Sequence, residues 1–350
     1  MIDTQSIPAP TSEPARSNSQ ALGGAPNTMK AIVQDRYGSA DVLELREIRR
    51  PEAGDHDVLV RVHAAGLDRG VWHLMTGLPY LIRLGFGLRA PKYPVLGMDV
   101  AGRVEAIGKH VTQFAVGDDV FGTCNGSFAE YACVNEKKLA PKPAKLSFEQ
   151  AAAVPVSAGT AFQGLRDKGG LVAGQRVLIT GASGGVGTFA VQIAKALGAH
   201  VTGVCSASKV DLVFSIGADQ VIDYKRDDCL RPDQRYDVIL DIAGNRSLSD
   251  LRGALTREGV LVITGGEEGD RWIGGTDRQL RALALSPFVR QSLRSFIAEE
   301  SGEQLRALTG LIDAGRVSPV VDRTFPLHAV RDAMRYLIAG HARGKIVITI

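Results

Sequence analysis

The stretch Val177–Val204, VLITGASGGVGTFAVQIAKALGAHVTGV, sets small residues where a chain can wrap around phosphate. Ala182, Gly184 and Gly187 fill an A-x-G-x-x-G spacing, and Gly181 and Gly185 add backbone freedom. Backbone N–H groups at such a turn, with the positive end of the following helix, face a pyrophosphate. Small side chains let it approach. Ser183, Gly184, Gly185 and Val186 are therefore expected along the phosphates, and Gly187 at the helix–sheet contact. A lone glycine pattern is a weak signal, but between a strand, a helix and a second strand it is a strong one. The end of the second strand selects the cofactor. Val204, Cys205 and Ser206 offer no carboxylate to a ribose 2′-hydroxyl, and Lys209 follows three residues on. A hydroxyl and an ammonium suit a 2′-phosphate, so NADPH is the expected cofactor. The other reading of Lys209 is a solvated lysine at a helix start.

A second group of chemically able residues lies in GLDRGVWHLMTGLPYLIRLGFGLRAPKYP, residues 66–94. His73 and Tyr80 could donate a proton or a hydrogen bond; alternatively, His73 and Trp72 pack the loop. Leu81, Leu84, Phe86 and Leu88 suit either a pocket for a hydrophobic substrate or ordinary lobe core.

The chain of 350 residues is long enough for two cores, and 45% hydrophobic with 23% charged residues is ordinary for a globular protein. A net charge of +3 with interspersed signs gives no basic stripe for nucleic acid. No run of eighteen apolar residues suggests a membrane span. Cys124, Cys133, Cys205 and Cys229 lack zinc or CxxC spacing; so few thiols fit a reducing, cytoplasmic setting. Residues 1–28, rich in Pro, Ser and Gly, are expected to be disordered, and they lack the apolar core of a signal peptide.

From Met29 onward short alternating runs such as DVLVRVHAAGLD, punctuated by glycine and proline, predict a twisted antiparallel, barrel-like domain. Ser147 with Gln150 forms a capping box before an alanine-rich helix. Apolar strands then alternate with helices, which predicts a doubly wound parallel sheet covered on both faces. The fold class is α/β. The mixed C-terminal segment, closing in a strand, is expected to return to the first domain.

The motifs GASGGVGTFAVQIAKALGA, PVLGMDVAGRVEAIG, VGDDVFG and GKIVITI occur in an order that resembles the medium-chain dehydrogenase/reductase superfamily, most closely its zinc-free quinone-oxidoreductase branch. The resemblance covers Met29 to Ile350. It implies a GroES-like catalytic domain over 29–156, a Rossmann domain for NADPH over 157–298 and a C-terminal return over 299–350, with the cleft between the domains. It places Thr160 near the nicotinamide, Tyr224 beside the adenosine phosphate, Gly265 and Gly266 at the nicotinamide ribose, and Lys345 at the cofactor phosphates. A core-capping Tyr224 and a surface Lys345 are the alternatives. Asp68 falls where zinc-dependent relatives carry a cysteine, and Gly97-Met98-Asp99 where they carry Gly-His-Glu, so no metal site is expected. Asp68 then becomes a candidate carboxylate near the nicotinamide.

Without a metal the substrate must itself accept hydride well, as quinones and alkenes conjugated to a carbonyl do. The expected partner is thus a small hydrophobic quinone or enone. Two further readings stay open: a zinc-independent reductase of aldehydes or ketones, and a non-catalytic NADPH-binding sensor or scaffold. The resemblance also implies a homodimer, with LRSFIAE as its candidate edge.

Overall fold

The computed structural model describes residues 27–230, 234–266 and 271–350. β1 (Thr28–Val33) and β2 (Glu44–Arg49) pair antiparallel. Thr28, expected in the irregular leader, opens β1; the rest of the leader, apart from Asn27, lies outside the described residues. The long β3 (Asp57–Leu67) runs into α1 (Arg69–Thr76), followed by the one-turn α2 (Arg83–Phe86). Then come β4 (Asp99–Ile107), β5 (Asp119–Thr123), β6 (Tyr131–Asn135) and β7 (Leu139–Pro141). The alternation of Val58, Val60 and Val62 sends all three into one buried cluster with Val100, Val104 and Val134.

Ser147 caps α3 (Phe148–Ala152) in the expected box with Gln150, and α4 (Pro155–Phe162) begins on proline. The alternating part follows: β8 (Arg176–Thr180), α5 (Gly185–Ala196), β9 (His200–Cys205), α6 (Val210–Ser215), β10 (Gln220–Asp223), β11 (Tyr236–Asp241), α7 (Leu248–Gly253), β12 (Leu255–Ile263), α8 (Thr276–Leu285) and β13 (Ser292–Ser295). These strands form one parallel sheet in the order β10-β9-β8-β11-β12-β13. Val177, Leu178 and Ile179 are fully buried, as strands covered on both faces require. The strand order reverses between β8 and β11, so a crevice opens at their carboxyl ends.

α9 (Gly302–Asp313), β14 (Val321–Pro326), α10 (Val330–Ile338) and β15 (Lys345–Thr349) complete the chain. β15 pairs antiparallel with β3, inside a seven-stranded sheet whose main path is β14-β15-β3-β4-β5-β7, with β6 also on β3. The chain's end thus rejoins the first sheet. Among the described residues no helix is long and apolar enough to cross a membrane.

Two expectations change in detail. The strand in LRSFIAE is only Ser292–Ser295; it is an edge strand, and Ile297 beyond it is 94% exposed. Leu81, Leu84, Phe86 and Leu88 are exposed rather than lobe core: the short helical turns that carry the first three bury none of their own residues, and Leu88 follows the second turn.

Candidate active site

The glycine turn is built by close packing. A Cβ at Gly187 would lie 2.1 Å from the Gly181 carbonyl and 2.7 Å from the Ala182 backbone, so the first turn of α5 can pass the end of β8 only without a side chain. Gly181 has φ 70°, a left-handed conformation that glycine adopts without strain. Ala182 is fully buried, its methyl turned toward Gly203 on β9 and its N–H donating to the Val204 carbonyl. The N-cap of α5 is Gly184, which brings no side-chain cap and leaves the first N–H groups of the helix open to a ligand.

A cavity of about 660 Å³ opens at this turn. Ser183, Gly184, Gly185 and Val186 border it, and so do Ser206, Lys209 and Tyr224 from the end of β9 and just beyond β10. Asp68, Thr160, Gly265 and Lys345 border it as well. Eleven of the expected residues therefore meet in one space. Ala182 and Gly187 act instead through the packing just described. Gly266 contacts the Gly275 turn, whose N–H donates to its carbonyl.

His73 and Tyr80 do not border this cavity. The His73 Nδ1 is 2.6 Å from the Leu78 carbonyl, which only accepts, so that nitrogen carries the proton. Its ring also packs edge-on against Trp72. The Tyr80 ring lies edge-on to Trp272 and beneath the Arg83 guanidinium, and its backbone N–H donates to the Arg271 carbonyl. That segment clasps the cofactor-sheet half of the chain at residues 271–272.

Lys209 donates to the Gly340 and Ala342 carbonyls at 3.0 and 2.7 Å. Burial holds its ammonium below the usual lysine range; Asp322 opposes this and Arg343 adds to it. It therefore fastens the loop before β15 beside the end of β9. Gly344 in the same loop donates to the Ser183 carbonyl. Tyr224 is 44% exposed, so it does not cap the core. Lys345 is no surface lysine: it is 1% exposed, and its amine bonds Asp99 at 2.8 Å with Asp68 at 3.6 Å.

Further residues at or beside the site were not singled out from sequence. The buried Asp241 accepts the Thr180 hydroxyl at 2.7 Å and is gripped by Arg278 of α8. Thr180 Oγ in turn accepts the N–H groups of Ile242 and Ala243, which border the cavity. A carboxylate closing the apolar run YDVILD was the available signal. Ser157, whose buried hydroxyl has no hydrogen-bond partner, borders the cavity beside Gly185.

The metal-ligand positions of zinc-dependent relatives are occupied by a carboxylate that caps α1 (Asp68), by Met98, and by a carboxylate bonded to an ammonium (Asp99). Among the described residues no three His, Cys, Asp or Glu side chains gather as a metal-binding set. This donor set does not fit zinc, since Lys345 already supplies the positive charge there.

Residues 54–144 match the family described as alcohol dehydrogenase GroES-like domain, and residues 216–348 the family described as zinc-binding dehydrogenase. The chain is 35% identical to the mitochondrial NAD(P)H oxidoreductase RTN4IP1 of Danio rerio, over 92% of this chain and 91% of that protein. It is 33% identical to the chloroplastic NADPH-dependent alkenal/one oxidoreductase of Arabidopsis thaliana, over 95% of this chain and 82% of that protein. Among solved structures it superposes on the quinone oxidoreductase of Coxiella burnetii with a TM-score of 0.81 at 28% identity, covering 92% and 99% of the two chains. The Escherichia coli quinone oxidoreductase complexed with NADPH gives 0.80 at 25% identity, covering 92% and 100%. With this fold, this crevice and these relatives, the chain belongs to the medium-chain dehydrogenase/reductase superfamily, in its quinone-oxidoreductase branch.

Proposed function

We propose that the protein is an NADPH-dependent reductase of quinones or α,β-unsaturated carbonyl compounds that works without zinc. The observation that carries it is the convergence of the glycine turn, the carboxylate-free end of β9 and Asp68 on one cavity. The pyrophosphate would lie on Ser183–Val186 and the N-terminus of α5. Ser206, Lys209 and Tyr224 would hold the 2′-phosphate, while Thr160 and Gly265 would flank the nicotinamide and its ribose. When bound, the cofactor supplies the hydride. The protein's own part is to hold the acceptor in the crevice, exclude water and supply the proton. Relatives named as alkenal/one and quinone oxidoreductases support this substrate class.

We place the division between catalytic and cofactor domains at residues 156/157 and 298/299, and take His73 and Tyr80 as residues that shape the cleft mouth. Four free thiols suit a reducing compartment such as the cytoplasm. The exposed edge of β13 with Ile297 suits a homodimer; light scattering that finds only monomer at high concentration removes it.

The test is steady-state oxidation of NADPH against a panel of quinones and enones, with elemental analysis of the same preparation. Turnover with at least one of these classes, weaker turnover with NADH and no stoichiometric zinc are expected. NADPH binding without turnover of any acceptor would favour a sensor or scaffold instead.

A further inference from the structure

Adjacent strands bring three charges together, two of which, Asp68 and Lys345, border the cavity. β15 pairs with β3 so that Ile346 faces Leu67, which sets Lys345 beside Asp68. β3 pairs with β4, and Asp99 comes beside Gly66, where a Cβ would lie 2.4 Å from its Oδ2. The glycine leaves that carboxylate its space. Lys345 and Asp99 are buried, and the Asp68 side chain is 12% exposed. Asp99 Oδ1 accepts the Val156 N–H and Oδ2 accepts the Lys345 amine. Asp68 Oδ1 accepts the Val71 N–H, but its Oδ2 is buried with no hydrogen-bond partner and lies 3.6 Å from the amine.

Two carboxylates against one ammonium leave a negative charge uncompensated away from water, which is costly. A proton carried by the cluster removes it. We propose that Asp68, Lys345 and Asp99 store the proton that completes the reduction, and that Asp68, which borders the cavity, delivers it. Burial holds the Asp99 carboxyl up at about 6, against the pull of Lys345 and with the repulsion of Asp68. Behind Asp99 the Cys124 thiol is also pushed up, by burial and then by Asp99. Arg69 follows Asp68 at the start of α1 and borders the cavity.

In the step, hydride forms a C–H bond at the β-carbon of the enone, and the alkene π pair moves to give the enolate. The α-carbon of the enolate then bonds the carboxyl proton of Asp68. The O–H bond breaks, and its electron pair stays on the carboxylate beside the Lys345 ammonium. The acceptor is reduced, the nicotinamide is oxidised, and the cluster regains one proton from water.

The proposal rests on the reductase function above, and the experiment separates the two. 1-Nitrocyclohexene accepts hydride to give a nitronate, which water protonates slowly if it leaves the enzyme unprotonated. Wild type is expected to release nitroalkane with solvent deuterium at the α-carbon, and D68N to release at least about tenfold more nitronate. D68E is expected to restore nitroalkane. Without cofactor, infrared difference spectra of wild type against D68N and D99N, taken near the Asp99 value of about 6, are expected to show a protonated carboxyl band. If D68N folds poorly, D68E and the infrared comparison of wild type with D99N decide. Equal nitronate release from wild type and D68N, or no carboxyl band, overturns the proton store. A wild type that oxidises no NADPH with nitroalkene, enone or quinone overturns the reductase function instead.

Discussion

The Thr180 hydroxyl donates to the Asp241 carboxylate across 2.7 Å, and this contact ties the end of β8 to the end of β11 at the point where the strand order reverses. The same oxygen accepts the N–H groups of Ile242 and Ala243, so one hydroxyl sets the backbone along one wall of the cavity. Thr180→Val keeps the shape and removes the acceptor. Each orphaned buried donor costs about 1–3 kcal/mol. A lower midpoint of chemical unfolding and a raised KM for NADPH are expected, both restored by Thr180→Ser. An unchanged midpoint in the valine variant would show that the hydroxyl does not hold this wall.

Two glycines of the turn separate stability from binding. At Gly187 a methyl would collide with the Gly181 carbonyl at 2.1 Å, and backbone there cannot move aside. Gly187→Ala is expected to cost about 1–3 kcal/mol or more in denaturant unfolding. At Gly184 a methyl would meet nothing closer than 3.5 Å, with φ −85° that any residue adopts. Gly184→Ala is therefore expected to fold within about 0.5 kcal/mol of wild type. It borders the cavity, so NADPH affinity is expected to fall about tenfold or more by fluorescence titration. Equal effects of the two substitutions on unfolding would contradict this division.

The turn was legible in sequence because its chemistry is local: small residues at fixed spacing between an apolar strand and an apolar helix. The parallel sheet was legible for the same reason, through continuous runs such as Val177–Ile179. The Lys345–Asp99 bond was not, since 246 residues separate the partners and only the return of β15 beside β3 joins them. Lysine at the head of a terminal strand gives no sign of its burial. His73 and Tyr80 carry the right groups for proton transfer, yet spacing cannot say which way a loop turns; here one ring faces a carbonyl and the other an indole. Arg278 was invisible because its role depends on Asp241, which lies on another element 37 residues earlier.

Asp99 gives a pH signature with a definite sign. Its native carboxyl titrates at about 6, above the unfolded value of about 3.9, so the native state binds more protons between these limits. Its contribution to stability is fully present below the unfolded value and lost as pH rises through the native one. The difference in unfolding free energy between wild type and Asp99→Asn is thus expected to fall from about pH 4 to about pH 6.5 and then level. A difference that rises with pH across this window would show that Asp99 is held ionised instead.

Lys209 joins cofactor choice to the loop that precedes β15. Its ammonium lies just past the end of β9, near Arg343, which bonds the Ser208 carbonyl, and two carbonyls of residues 340 and 342 already orient it. A hydrogen bond to a charged group contributes about 1.5–3 kcal/mol, so Lys209→Met is expected to raise the Kd for NADPH about 10- to 100-fold and leave that for NADH nearly unchanged. Water can replace the amine at Gly340, which is exposed, so the midpoint of thermal unfolding is expected to shift only slightly. Ser206→Asp approaches the same point from the other side. Its carboxylate would repel a 2′-phosphate and accept a 2′-hydroxyl, reversing the preference toward NADH. Titration of both variants with both cofactors decides: parallel losses for NADPH and NADH would mean that these residues support the loop without reading the phosphate.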